Sequence, residues 1–60
     1  MSESIETLRR MNRELIAIEM DIDDMVRRCR SQGESWDDIA DALGIQRTSA
    51  YQRFTRKGIA

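Results

Sequence analysis

The sequence predicts an all-α domain of three helices, one long and N-terminal, then two short ones joined by a tight turn. Three observations predict it. The 60 residues contain no proline, and 35% of them are charged. Apolar residues recur at steps of three and four, the period of a helix face. Gly33, Gly44 and Gly58 each follow a helical stretch, where a residue able to turn left-handed stops a helix.

The first helix is expected over residues 4–31. Ser4 can cap it, and Glu6 then meets the positive end of the helix dipole. Arg27, Arg28 and Arg30 crowd the last turn, where positive charge is favoured. Glu6–Arg10, Asp23–Arg27 and Asp24–Arg28 are acid-before-base pairs four residues apart. Leu8, Met11, Leu15, Ile18, Ile22, Met25 and Cys29 form a heptad seam, widened by Ile16 and Val26. Such a helix is about 42 Å long at 1.5 Å per residue. Two short helices can cover only about half of that. Ile18, Ile22, Met25, Val26 and Cys29 are enough to pack on them. Ile5, Leu8, Met11 and Leu15 then lack a partner within the chain, and exposing such a stripe is unusual for a monomer. A second copy of the same helix is the simplest cover. The expectation is a homodimer with Ile5, Leu8, Met11, Leu15 and Ile18 at its interface. Asn12 lies beside the seam, where it can help to fix register.

Residues 35–57 are expected to hold the two short helices. Ser35 caps the first of them, with Asp37 and Asp38 in its opening turn. Trp36, Ile39, Ala40 and Leu43 share one face, and Trp36 is placed to cover the junction with the long helix. Ala40 is small where another helix would cross. Gly44 stops this helix and Ile45 follows. The last helix runs from about Arg47 to Lys57 and presents Ala50 and Phe54 inward. Two helices joined in this way have the pattern of a helix-turn-helix.

The stretch Ile39-Ala40-x-x-Leu43-Gly44-Ile45-x-Arg47-x-x-Ala50-Tyr51-x-Arg53-Phe54 resembles the DNA-binding helix-turn-helix of bacterial regulators. Gly33-x-Ser35-Trp36 before it is similar to a version found in small actinobacterial and phage regulators. The resemblance covers about half of the chain. Two positions depart from the family. Gln46 stands where Ser or Thr usually opens the recognition helix, and Arg53 stands where many members carry an apolar residue. The resemblance implies double-stranded DNA as partner, with Arg47, Thr48, Tyr51 and Gln52 facing the bases. Gln46 lies on the same outer side. Arg can bind guanine and Gln adenine through paired hydrogen bonds. Ser49, Arg53, Arg56 and Lys57 suit phosphates. Tyr51 suits either the reading face or the core.

Charge is unevenly divided. The chain carries a formal net charge of −1, but residues 42–60 hold Arg47, Arg53, Arg56 and Lys57 with no acid. Glu34, Asp37, Asp38 and Asp41 lie just before them. Local sign decides whether a polyanion is attracted at contact distance, because salt screens anything beyond about 10 Å.

Composition narrows the other classes. One cysteine and no histidine give no disulfide framework and no zinc site. Cys29 reads as a small buried apolar residue, and Met11, Met20 and Met25 as gap-fillers. Asp21, Asp23 and Asp24 sit on a helix without a loop glycine, so they read as a solvated face rather than a calcium site. No nucleophile, base and orienter come together, so no enzyme and no cofactor are expected. No apolar run reaches membrane-spanning length, and no signal peptide opens the chain. A cytoplasmic, nucleoid-associated protein is expected, either complete or the N-terminal domain of a longer one. A chain this small is marginal alone, which again points to oligomerisation. The function expected is that of a transcriptional repressor or other regulator. The alternatives are an adaptor that uses the long helix to hold a protein partner, and an architectural or plasmid-maintenance DNA-binding protein.

Overall fold

A computed structural model describes residues 2–60. Three helices follow one another, with no strand among the described residues: α1 (Glu3–Ser31), α2 (Trp36–Leu43) and α3 (Arg47–Thr55). The domain is all-α, as expected. Its extents are 47 × 19 × 18 Å, and the long axis is that of α1. At 1.5 Å per residue, 29 residues span about 43 Å.

α1 begins earlier than the first capping serine considered. Ser2, not Ser4, is the N-cap, its hydroxyl accepting from the Ile5 N–H at 3.2 Å. Starting there puts both Glu3 and Glu6 into the first turn, where free N–H groups favour negative charge. A start at Ser4 would leave Glu3 outside. Ser35 caps α2 as expected, accepting from the Asp38 N–H at 3.1 Å.

The helix ends share one device. After α2, Gly44 takes φ 70°, the Gly44 N–H donates to Asp41 O at 3.1 Å and the Ile45 N–H to Ala40 O at 3.0 Å. This is a Schellman ending, and the left-handed residue in it strains any side chain beyond glycine. α3 ends in the same way. Its regular part stops at Thr55, two residues short of the expected Lys57, and the final turn closes on Gly58 at φ 84°. The Ile59 N–H then donates to Phe54 O at 3.0 Å.

That closure folds Ile59 into the core. The buried set is Val26, Trp36, Ile39, Ala40, Ala50, Phe54 and Ile59, with Ile22, Cys29, Leu43 and Ile45 half-buried around it. Phe54 is fully enclosed at the centre. The Trp36 ring stacks on it at 6.2 Å between centroids. α2 and α3 make the closest contact between elements. α1 lies across them by its last third, through Ile22, Val26 and Cys29.

Two expectations about α1 are corrected here. Ile18 and Met25 do not pack on the two short helices; they are 56% and 53% exposed. The face that meets α2 and α3 follows the 22, 26, 29 step, which shares Ile22 and Cys29 with the heptad seam but is rotated toward Val26 and away from Ile18 and Met25. Ile18 lies a turn before α2 and α3 reach α1, and Met25 sits on the flank. The surface ion pairs also differ. Glu6 pairs with Arg9 at 3.6 Å, Glu14 with Arg10 at 4.0 Å, and Asp24 with Arg27 at 3.0 Å. Three-apart spacing serves as well as four on a helix surface, and such exposed pairs add little stability. Asp23 turns toward α3 instead, where both its oxygens accept from Lys57 Nζ at 3.0 Å.

Candidate nucleic-acid interface

α3 presents two faces because Ala50 and Phe54, one turn apart, are buried. The residues between and beside them must point outward. Gln46, Arg47, Thr48, Ser49, Gln52 and Arg56 are all exposed. The structure thus leaves most of the side chains singled out as base or phosphate contacts open to solvent. The segment that carries them, residues 42–60, contains no acid.

Tyr51 lies between the two placements expected for it. Its ring meets Trp36 edge-on, at 5.8 Å and 85°, yet 51% of the residue is exposed. The ring is anchored at its base while the outer part faces solvent. Trp36 holds Tyr51 on one side and Phe54 on the other, so the indole fixes where α3 stands.

The cations differ in how free they are. Arg56 is exposed and joins no ion pair among the described residues. Arg47 lies 3.4 Å from Asp37 on α2, with 66% and 75% of the two side chains exposed. An ion pair so open to water is weak and exchangeable. The Arg53 guanidinium lies 4.8 Å from the centroid of the Phe54 ring. That contact lets a charged residue cover the core where an apolar one would be usual. Lys57 is the most engaged: it ties α3 to Asp23, whose side chain is only 16% exposed.

Arg30 has a role that sequence reasoning missed. Its guanidinium lies 4.8 Å from the Trp36 ring centroid. It also donates to Glu34 O at 2.7 Å and to Ala60 O at 2.9 Å. One side chain of α1 thus holds the linker, the tryptophan and the C-terminal segment. An arginine six residues before a buried tryptophan is no sequence signal by itself. Ile59 was missed too, although a signal was there: an apolar residue right after a helix-ending glycine commonly packs back on the last turn.

The interface positions proposed for a dimer are all exposed: Ile5 (42%), Leu8 (62%), Met11 (57%), Leu15 (53%) and Ile18 (56%). No group of three His, Cys, Asp or Glu side chains converges among the described residues. No helix among them is long and apolar enough to cross a membrane. No protein-family model, curated protein or solved structure matches the chain.

Proposed function

We propose that this chain binds double-stranded DNA sequence-specifically, as a homodimer, and acts as a transcriptional repressor or regulator. The observation that carries this reading is the outer face of α3. Arg47, Thr48, Tyr51 and Gln52 stand exposed and rich in hydrogen-bond donors. They ride on a helix held from behind by Trp36 and Phe54, in a segment free of acids. Helices of this kind read base edges in the major groove by their N-terminal residues. The likeness of the sequence to helix-turn-helix regulators supports the same assignment.

In this reading Arg47 and Gln52 supply the paired hydrogen bonds that distinguish guanine and adenine, with Gln46, Thr48 and Tyr51 beside them. Ser49, Arg53 and Arg56 contact phosphates. Lys57 joins them only by leaving Asp23. Arg47 leaves Asp37 for a base, exchanging a solvent-exposed pair for a desolvated one. The homodimer rests on the row of exposed apolar residues along the N-terminal two-thirds of α1.

Selection of bound duplexes from a random pool tests the proposal, with shift assays at several salt concentrations. The expected product is an inverted repeat with half-sites about 34 Å apart. Affinity should fall steeply with salt, as phosphate contacts release counterions. No retention of the protein on heparin or on random duplex at low salt would overturn DNA binding. The row along α1 would then mark an adaptor for another protein.

A further inference from the structure

We infer that the two α1 helices of the dimer run antiparallel, each placing Leu8 in the apolar cleft between α1 and α2 of the other. This rests on the homodimer reading above and assigns its geometry.

The apolar row of α1 does not stop at Ile18. It continues into a cleft of about 150 Å³ whose walls include Ile22, Met25 and Cys29 of α1 with Ala42 and Leu43 of α2. No polar residue lines that cleft. Its volume suits a bulky apolar group such as a leucine side chain. The exposed row and the open cleft are therefore one continuous surface. An antiparallel copy covers both at once, laying the row of each chain along the cleft of the other.

The seam fits this arrangement. In a heptad frame Leu8, Leu15, Ile22 and Cys29 take one seam position, and Met11, Ile18 and Met25 the other. Antiparallel helices pair one set with the other. A single register sets Leu15 against the partner's Ile18, Met11 against the partner's Ile22, and Leu8 against the partner's Met25. Leu8, with Ile5 beside it, is then the group that enters the cleft.

Charge along the flanks of the seam favours this sense. α1 is banded: Glu3 and Glu6, then Arg9, Arg10 and Arg13, then Glu19, Asp21, Asp23 and Asp24, then Arg27, Arg28 and Arg30. A parallel, in-register pair sets every band against itself and places Glu14 beside the partner's Glu19. The antiparallel register sets Arg9 and Arg10 level with the partner's acidic band, on the flanks of the seam rather than in it, while Asp23 of that band already holds Lys57. It also sets Glu3 and Glu6 near the partner's last arginines. Asn12 comes opposite the partner's Glu19, where its amide can donate. Two symmetry-related like-charge pairs arise, Glu14 of each chain with the partner's Asp21, and Arg10 stands 4.0 Å from the Glu14 carboxylate to offset each.

The arrangement also sets the reach of the readers. Each α2–α3 unit sits on α1 near Val26, so antiparallel α1 helices separate the two units by about 30 Å along the axis, at 1.5 Å per residue. That is close to the 34–36 Å between successive major grooves on one face of DNA. A parallel pair would bring both units to the same end.

Distances between nitroxide labels, read by pulsed dipolar spectroscopy, test this. Single labels go at Glu6→Cys, Arg13→Cys and Arg27→Cys in a Cys29→Ala background. All three sites are exposed. Exposed neighbours Thr7, Glu14 and Arg28 take the label if a variant loses helix content. The antiparallel pair gives label distances longer by more than about 10 Å at positions 6 and 27 than at 13, from the helix rise alone. One common distance at all three positions overturns the antiparallel sense and leaves the dimer standing. Absence of any dipolar signal at high protein concentration overturns the homodimer itself.

Discussion

At the scale of single residues, Phe54 and Arg47 test different parts of the argument. Among the described residues Phe54 is the only large side chain that is fully buried, and Trp36, Arg53 and Lys57 all lie against its ring. Phe54→Ala leaves a cavity that a domain this small has little material to refill. The expected loss is about 3–5 kcal/mol, read by urea unfolding. Since a domain of this size has little stability to spare, the variant is expected to be largely unfolded at 25 °C. Arg47, by contrast, is open to solvent and forms only an exposed ion pair with Asp37 among the described residues. Arg47→Ala should leave the unfolding midpoint almost unchanged and cost about 1–3 kcal/mol of binding to the selected site, with relaxed sequence preference. Arg56→Ala should weaken selected and random duplex alike and lower the salt slope by about one. Equal losses on both duplexes from Arg47→Ala would remove it from the base-reading set.

Between residues and elements lies the question of what the sequence could disclose. Helix ends were readable because glycine marks them chemically: Gly33, Gly44 and Gly58 all take positive φ. The outward face of α3 was readable because burying Ala50 and Phe54 leaves no other place for Arg47, Thr48 and Gln52. The inward face of α1 was only half readable. A continuous heptad row such as Leu8 to Cys29 offers two overlapping faces, and periodicity does not say which one meets α2. The 22, 26, 29 face won, and Met25 and Ile18 were left outside. Long-range polar contacts were not readable at all. Lys57 with Asp23, and Arg30 with Glu34 and Ala60, depend on how the turns bring distant segments together.

At the scale of elements, the three helices are not equally well started. Ser2 and Ser35 each supply a hydroxyl to the first turn of α1 and α2, and acids follow both. α3 has neither: Gln46 makes no side-chain cap, and no acid stands in its first turn. The weakest helix start in the molecule is thus the end proposed to enter the groove. Acids that would stabilise the helix dipole there would also repel phosphate, which in the proposed reading accounts for their absence. Gln46→Ser and Gln46→Asp separate the two effects. Both should stabilise the fold by about 0.5–1 kcal/mol, measured by thermal or urea unfolding. Gln46→Ser should keep most of the affinity for random duplex, whereas Gln46→Asp should reduce it. If Gln46→Asp bound random duplex as tightly as the natural chain, the start of α3 would lie away from DNA.

At the scale of the whole molecule, one helix serves the small domain and, in the proposed dimer, a second core. Its C-terminal third completes the small domain through Ile22, Val26 and Cys29, and its remaining length carries exposed apolar residues. Leu15, 53% exposed, sits in the middle of that row, remote from α2 and α3. Leu15→Glu should therefore leave each domain folded while placing a charge at the centre of the dimer seam, where it meets the partner's Ile18. Sedimentation should show monomer at concentrations where the natural chain is dimeric. Operator affinity should fall by about 10²–10⁴-fold, the usual gain from linking two binding units, while weak binding to random duplex persists. A dimer that survives Leu15→Glu would place the contact between copies elsewhere. A monomer that still held a full inverted repeat tightly would mean that each domain reads its half-site without help from the other.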